Sequence, residues 1–204
     1  MRGGVLEEFL LEEDGMLDNY KRRMDFVKAL DALMREKAFE KVTVADLCSE
    51  TGCSRPTFYR CFQDKYDIPR WFLRLQFVRF LSETGRTLTL YDANLLMSHA
   101  LLKNKSFFEN AYRVRDPLSI RYYGPEMVVE NLLETLTQWK GISVTQELLF
   151  QVQWYAVAST QMVMRWVDEG MEMSPEELAG YMDRATPSPL RELIDGGVSQ
   201  SPTP

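Results

Sequence analysis

Apolar residues in this chain recur at intervals of three and four, and nowhere alternate in twos for the length of a strand. The clearest stripe runs from Tyr20 to Lys37, where Met24, Val27, Ala29, Leu30, Leu33 and Met34 fall on one helical face. Phe39 to Val42 breaks that pattern. Thr43 then opens a short helix as N-cap, with Asp46 three residues on in a weaker form of the capping box, and Gly52 closes it. Ser54 caps the next helix, with Pro56 in the first turn, where a missing N–H costs little. After Gln63-Asp64 a further helix is expected through Trp71 and Leu75.

The helical period continues to the C-terminal end. Tyr91 to Tyr112 reads as one or two helices, with Asp116-Pro117 and Gly124-Pro125 as punctuation. Met127 to Trp139 is another, ended by Gly141, and Val144 to Asp168 is the longest and most apolar. Ser174-Pro175-Glu176-Glu177 combines an N-cap, an N1 proline and an N3 acid, a strong helix start. The fold class expected is therefore all-α. An acidic extension (1–19) precedes a three-helix unit (20–67). A second helical unit (68–185) follows, and the TPSP and SPTP motifs mark a flexible tail (186–204).

Charge sharpens this division. The net charge of −6 is unevenly spread: −5 over residues 1–19, +4 over 20–75, and −5 over 76–204. A basic segment between two acidic ones suits a polyanionic partner better than the overall balance suggests. No stretch approaches the roughly 18 apolar residues that a membrane span needs. The acidic start lacks a basic n-region and apolar h-region, so a cytoplasmic protein that does not engage membranes is expected.

Thr43 to Phe62 has the proportions of a helix-turn-helix: a short helix, a glycine, a tight turn, then a helix opening with small polar and basic residues. Leu47 and Phe58 are spaced to pack the two helices together, leaving Arg55, Thr57, Tyr59, Arg60 and Lys65 to face outward. At these positions TVADLCSETGCSRPTFYRCFQDKYDI resembles the helix-turn-helix of the TetR family of bacterial transcription regulators. That resemblance implies binding of double-stranded operator DNA, homodimerisation, and an effector-binding C-terminal domain, commonly in a repressor released by its ligand. Carried over by position, it places a phosphate at Thr43 and sets Arg55 and Thr57, next to the Ser54 cap, at the major-groove end of the recognition helix. It gives Tyr59 a backbone contact and Lys65 a further phosphate, with Arg60 on the same helix. Pro56 and Cys61 depart from the family pattern, Pro56 where Gly or Ala is usual and Cys61 where Tyr or His is usual. An activator, or an interaction module controlled by a protein partner with weakened DNA binding, is the alternative.

Cys48, Cys53 and Cys61 raise a metal question that their spacing answers. They lack the close Cys-x2–4-Cys pairing and second ligand pair of a zinc site, and the single histidine, His99, is distant in sequence. No metal or cofactor is expected. Cys48 and Cys53 are read as small packing hydrophobes, and Cys61 carries the alternative of an exposed thiol against DNA. No nucleophile elbow, phosphate loop or ligand cluster supports an enzyme.

In the C-terminal unit an apolar pocket with a few polar groups is the expected effector site. The candidates are His99, Tyr122, Trp139, Gln151, Trp154, Tyr155 and Met162. The helix from Val144 is apolar around most of its circumference, so a second subunit is expected to cover one face. Leu148, Val152, Tyr155, Val163 and Trp166 are the candidates for that interface.

Overall fold

The computed structural model describes residues 17–198; residues 1–16 and 199–204, hence most of the acidic extension and the end of the tail, lie outside it. Its helices are α1 (Leu17–Glu36), α2 (Val44–Thr51), α3 (Arg55–Cys61), α4 (Asp67–Phe80), α5 (Leu90–Lys103) and α6 (Lys105–Arg113). They continue with α7 (Gly124–Glu134), α8 (Gln146–Asp168), α9 (Pro175–Ala185) and α10 (Ser188–Asp195). No strand occurs among the described residues.

The first three helices form around aromatic edges. Phe26, absent from the expected α1 stripe, is fully buried and meets Phe58 of α3 edge-on at 5.3 Å. Leu47 of α2 is equally buried, so Leu47 and Phe58 fix the crossing of α2 and α3 as their spacing suggests. The termini follow from sequence chemistry. Thr43 Oγ1 accepts from the Asp46 N–H while the Asp46 carboxylate takes the Thr43 N–H, a complete capping box. Gly52 ends α2 in the left-handed region at φ 65, where a side chain would be strained.

α4 leaves this unit and enters the next. Its Ile68 and Trp71 belong to the helix-turn-helix core, and Phe72 stacks on Phe108 of α6 with centroids 5.4 Å apart and planes within 5°. One hydrophobic core therefore continues from α1 through α4 into α6 and the end of α8. A second cluster joins Leu90, Leu132, Leu136, Leu148, Val152 and Tyr155 to Leu190 and Ile194.

The last two residues correct the expected tail. Residues 188–195 form α10, whose Leu190 and Ile194 are fully buried, so folded structure extends well past residue 186. Its position is fixed from the other side by Gly85 at φ 73. A Cβ there would come within 2.9 Å of the Ile194 carbonyl oxygen and of Thr135 Cγ2, a distance only glycine permits. The Leu90 N–H also donates to Asp195 Oδ1 at 2.8 Å, tying the start of α5 to the end of α10. A helix of only two turns, opened by prolines, shows too little periodicity to stand out from a loop in sequence.

Candidate nucleic-acid interface

The recognition helix α3 is built to expose its first turns. Ser54 Oγ accepts the Thr57 N–H at 3.3 Å and lies 2.9 Å from Thr57 Oγ1, so these two candidates hold the helix start. Arg55 and Tyr59, four residues apart, share an exposed face, and the Tyr59 ring is steadied edge-on against Phe58 at 5.3 Å. Arg60 is exposed as well and reaches back to Thr57 Oγ1 at 3.4 Å. One cationic, one aromatic and one further cationic side chain thus stand off a short helix whose opposite face is buried. That is the arrangement groove reading requires, with cations and hydroxyls for phosphates and planar donors for base edges.

Thr43 stands exposed at the N-terminus of α2, with its hydroxyl donating to Asp46 Oδ2 at 2.8 Å. Asp46 also pairs with Lys37 at 2.7 Å, and these donors hold its carboxyl down at about 2, the Lys37 hydrogen bond contributing most. The cap is thus a closed network. Arg22, not among the sequence candidates, comes within 3.4 Å of Cys53 Sγ and brings a cation to the turn between α2 and α3. The Lys21-Arg22-Arg23 run at the start of α1 carries that signal.

Lys65 departs from expectation. Its ammonium donates to the carbonyl oxygens of Phe39, Glu40 and Val42, all at 2.9 Å, and lies 4.8 Å from the Phe39 ring centroid. All three donors are consumed by the loop after α1, so this lysine ties that loop to the start of α4 instead of presenting its charge. Burial lowers its pKa, the neighbouring carboxylates opposing that shift. For Cys61 the alternative of an exposed thiol against DNA is not met: it is buried, with Sγ donating to Asn19 Oδ1 at 3.5 Å. Cys48 and Cys53 are half-buried against the core, and burial raises the Cys48 thiol pKa. Among the described residues no group of three or more His, Cys, Asp or Glu side chains is placed to hold a metal ion.

The C-terminal unit holds a partly open cavity of about 70 Å³ between α4, α5, α7 and α8. Of the effector candidates only Tyr155 lines it. Its hydroxyl accepts from Asn94 Nδ2 at 2.8 Å, and burial pushes its pKa up to about 12, so it remains a neutral donor. Arg121 also lines the cavity, but its guanidinium is bound bidentately to Asp168 (2.9 and 2.7 Å) and to the Tyr112 carbonyl. Its charge is therefore spent internally. Asn94, Ser98, Asn131 and Ser159 supply further polar wall, and none of them is among the effector candidates read from the sequence.

The remaining candidates lie elsewhere. His99 is on the surface, 2.9 Å from Glu176 Oε1. Tyr122 and Trp139 are exposed, the latter under the Arg86 guanidinium at 4.7 Å. Gln151 is half-buried, with a buried Oε1 that has no partner. Trp154 and Met162 line an outer groove of about 210 Å³ against Met173 and Tyr181 of the α9 region. The interface candidates are likewise redistributed. Leu148, Val152, Tyr155 and Trp166 are buried within the subunit and Val163 partly so. The face of α8 left uncovered carries Phe150, Trp154 and Val157, which are 66%, 47% and 53% exposed. The helix is apolar on both sides as expected, but the side that faces outward is not the one the sequence candidates mark.

Similarity to known proteins agrees with this geometry. Residues 26–69 match the family model for bacterial regulatory proteins of the tetR family, and residues 89–187 match a model for a transcriptional regulator C-terminal region. A dhaKLM operon transcriptional activator, DhaS, of Lactococcus lactis is 24% identical over 85 residues, 42% of this chain and 46% of that protein. The match thus spans less than half the curated relative's length. The solved structure of a dihydroxyacetone kinase operon activator DhaS superposes with a TM-score of 0.59 at 18% identity, over 87% of this chain and 98% of that one. FadR of Thermus thermophilus, a TetR family repressor solved with lauroyl-CoA, gives 0.50 at 18% identity, over 89% and 98%. With the helix-turn-helix and the C-terminal unit each matched, and the fold shared along the chain, this protein belongs to the TetR family of DNA-binding transcriptional regulators.

Proposed function

We propose that the protein is a homodimer that binds a two-fold symmetric operator through Arg55, Tyr59 and Arg60, and that occupation of the interior cavity by an effector releases it. The observation that carries this reading is the placement of α4. Ile68 and Trp71 pack in the helix-turn-helix core, while Leu73, Phe77 and, just past its end, Leu81 line the cavity. A ligand that fits one arrangement of these side chains better than another biases the attitude of the recognition helices. The Phe150, Trp154 and Val157 stripe at helical spacing supplies the dimer face, since isolated subunits seldom leave so contiguous an apolar row uncovered.

A second reading has its own support. A cavity of about 70 Å³ is far below the roughly 300 Å³ at which drug-sized ligand pockets begin. A relative named as an activator is also among the matches. Activation, with a protein partner in the role of effector, is the reading these favour. Sedimentation of a Trp154→Glu, Val157→Glu variant tests the dimer, on which both depend. A monomer that loses operator affinity is expected, and a dimer of native affinity would exclude this face as the interface.

A further inference from the structure

Two cysteines meet at the turn that aims the recognition helix. α2 ends in a Schellman motif: the Gly52 N–H donates to the Ser49 carbonyl at 3.4 Å and the Cys53 N–H to the Cys48 carbonyl at 3.1 Å. That motif brings the residue after the left-handed glycine against the residue five before it, and here the two are Cys53 and Cys48. Through the 3.1 Å bond their Cα atoms lie at most about 7 Å apart, and the bends at its two ends bring them closer. A disulfide needs roughly 4.4–6.8 Å. Both side chains are half-buried on the edge of one core, and the Cys53 sulfur lies near enough to Cys48 to oppose its ionisation.

The two sulfurs are not equivalent. Arg22 Nη1 donates to Cys53 Sγ at 3.4 Å, so a cation faces the charge that develops on this sulfur as it attacks. Burial first, and Cys53 next, raise the pKa of the Cys48 thiol, with Arg55 opposing them. A partly exposed sulfur held against a cation is the attacking member of a dithiol, and its less ionised neighbour the resolving one.

We propose that Cys48 and Cys53 form a peroxide-sensitive disulfide that turns off operator reading by α3. Cys53 Sγ attacks one oxygen of a hydroperoxide and the O–O bond breaks. The other oxygen leaves as water or an alcohol with the thiol proton, and the sulfur becomes a sulfenic acid. Cys48 Sγ then attacks that sulfur, the S–O bond breaks, and the Cys48 proton leaves with the hydroxyl as water. Two thiols have lost two electrons, and the peroxide has gained them. Bonded sulfurs stand about 2 Å apart, well inside contact distance, so closure pulls Cys53 toward α2. Ser54 and Arg55 follow directly in the chain, and the Ser54 cap on the Thr57 N–H moves with them. Arg55 is thereby carried off the base edges. The loss of binding rests on operator reading by α3, whereas the thiol chemistry does not.

The test uses the full-length native chain and a Cys48→Ser variant, each treated with hydrogen peroxide and then with dithiothreitol. Trypsin cuts after Lys41 and Arg60 but not before Pro56, so one peptide carries Cys48 and Cys53 without Cys61. From oxidised native protein that peptide should be lighter by two hydrogens and resist alkylation until it is reduced. Affinity for the inverted repeat enriched from a random library should fall about tenfold, the scale of a lost base contact, and recover on reduction. Binding to random-sequence duplex, which depends on phosphates, should change by less than about twofold. Cys48→Ser should form no bridge and keep its operator affinity within about twofold after peroxide. A peptide that stays unbridged and alkylated in oxidised native protein overturns the proposal. So does a bridged peptide with operator affinity unchanged, or an equal loss in Cys48→Ser. The peptide is weighed without DNA, so failure of the bridge and failure of operator reading are distinguishable.

Discussion

Lys65→Ala separates a structural lysine from a phosphate-binding one. In the structure Nζ makes three hydrogen bonds of 2.9 Å to the carbonyls of Phe39, Glu40 and Val42 and sits over two aromatic rings. Charge-assisted hydrogen bonds contribute about 1.5–3 kcal/mol each where they are desolvated. This side chain is only partly buried, and water can replace part of what is lost, so a total of about 2–3 kcal/mol is the reasonable figure. For a chain of this size that lowers Tm by on the order of 5–10 °C. Calorimetry or urea unfolding of the full-length protein reads this directly. DNA titrations at several salt concentrations on the still-folded variant supply the other half. The salt slope should match native protein, because the removed charge does not neutralise a phosphate. Native stability with a slope reduced by about one unit would refute the structural role and restore Lys65 to the DNA.

Other outcomes follow from the same geometry. Asp46 has a folded-state pKa of about 2 against an ordinary 3.8, so its contribution is complete above the ordinary value and is lost as pH falls through about 2. Asp46→Asn should flatten the acid limb of stability in that window, seen by circular dichroism. Ile194→Ala, which empties a fully buried site under Gly85, should cost about 2–4 kcal/mol in urea unfolding, whereas a loose tail would register nothing.

The helix-turn-helix is legible in the sequence because each of its boundaries is set by local chemistry. Thr43 with Asp46, Gly52, and Ser54 with Thr57 each act within four residues, and all act in the structure as their spacing implies. Long-range placement is less legible. Lys65 reads as a surface cation until the fold brings three carbonyls from residues 39–42 to it. Cys61 keeps the alternative of an exposed thiol until α1 arrives with Asn19. The long α8 shows why interfaces are harder than helices. Apolar residues circle it, and nothing local distinguishes Val152, fully buried within the subunit, from Val157, left outside it. The cavity is similar: Asn94 and Tyr155 lie 61 residues apart and meet only through packing of α5 on α8.

The central claim is that α3 reads a two-fold operator. Selection of bound duplexes from a random library by the native full-length chain tests it most directly. An enriched inverted repeat is predicted, with half-sites about one helical turn or a multiple apart. In the same selection Arg55→Ala should lose preference at particular positions of each half-site, while Tyr59→Ala should weaken recovery of all sequences alike. No enriched sequence from the native protein, or an identical repeat at full affinity from both variants, would contradict it.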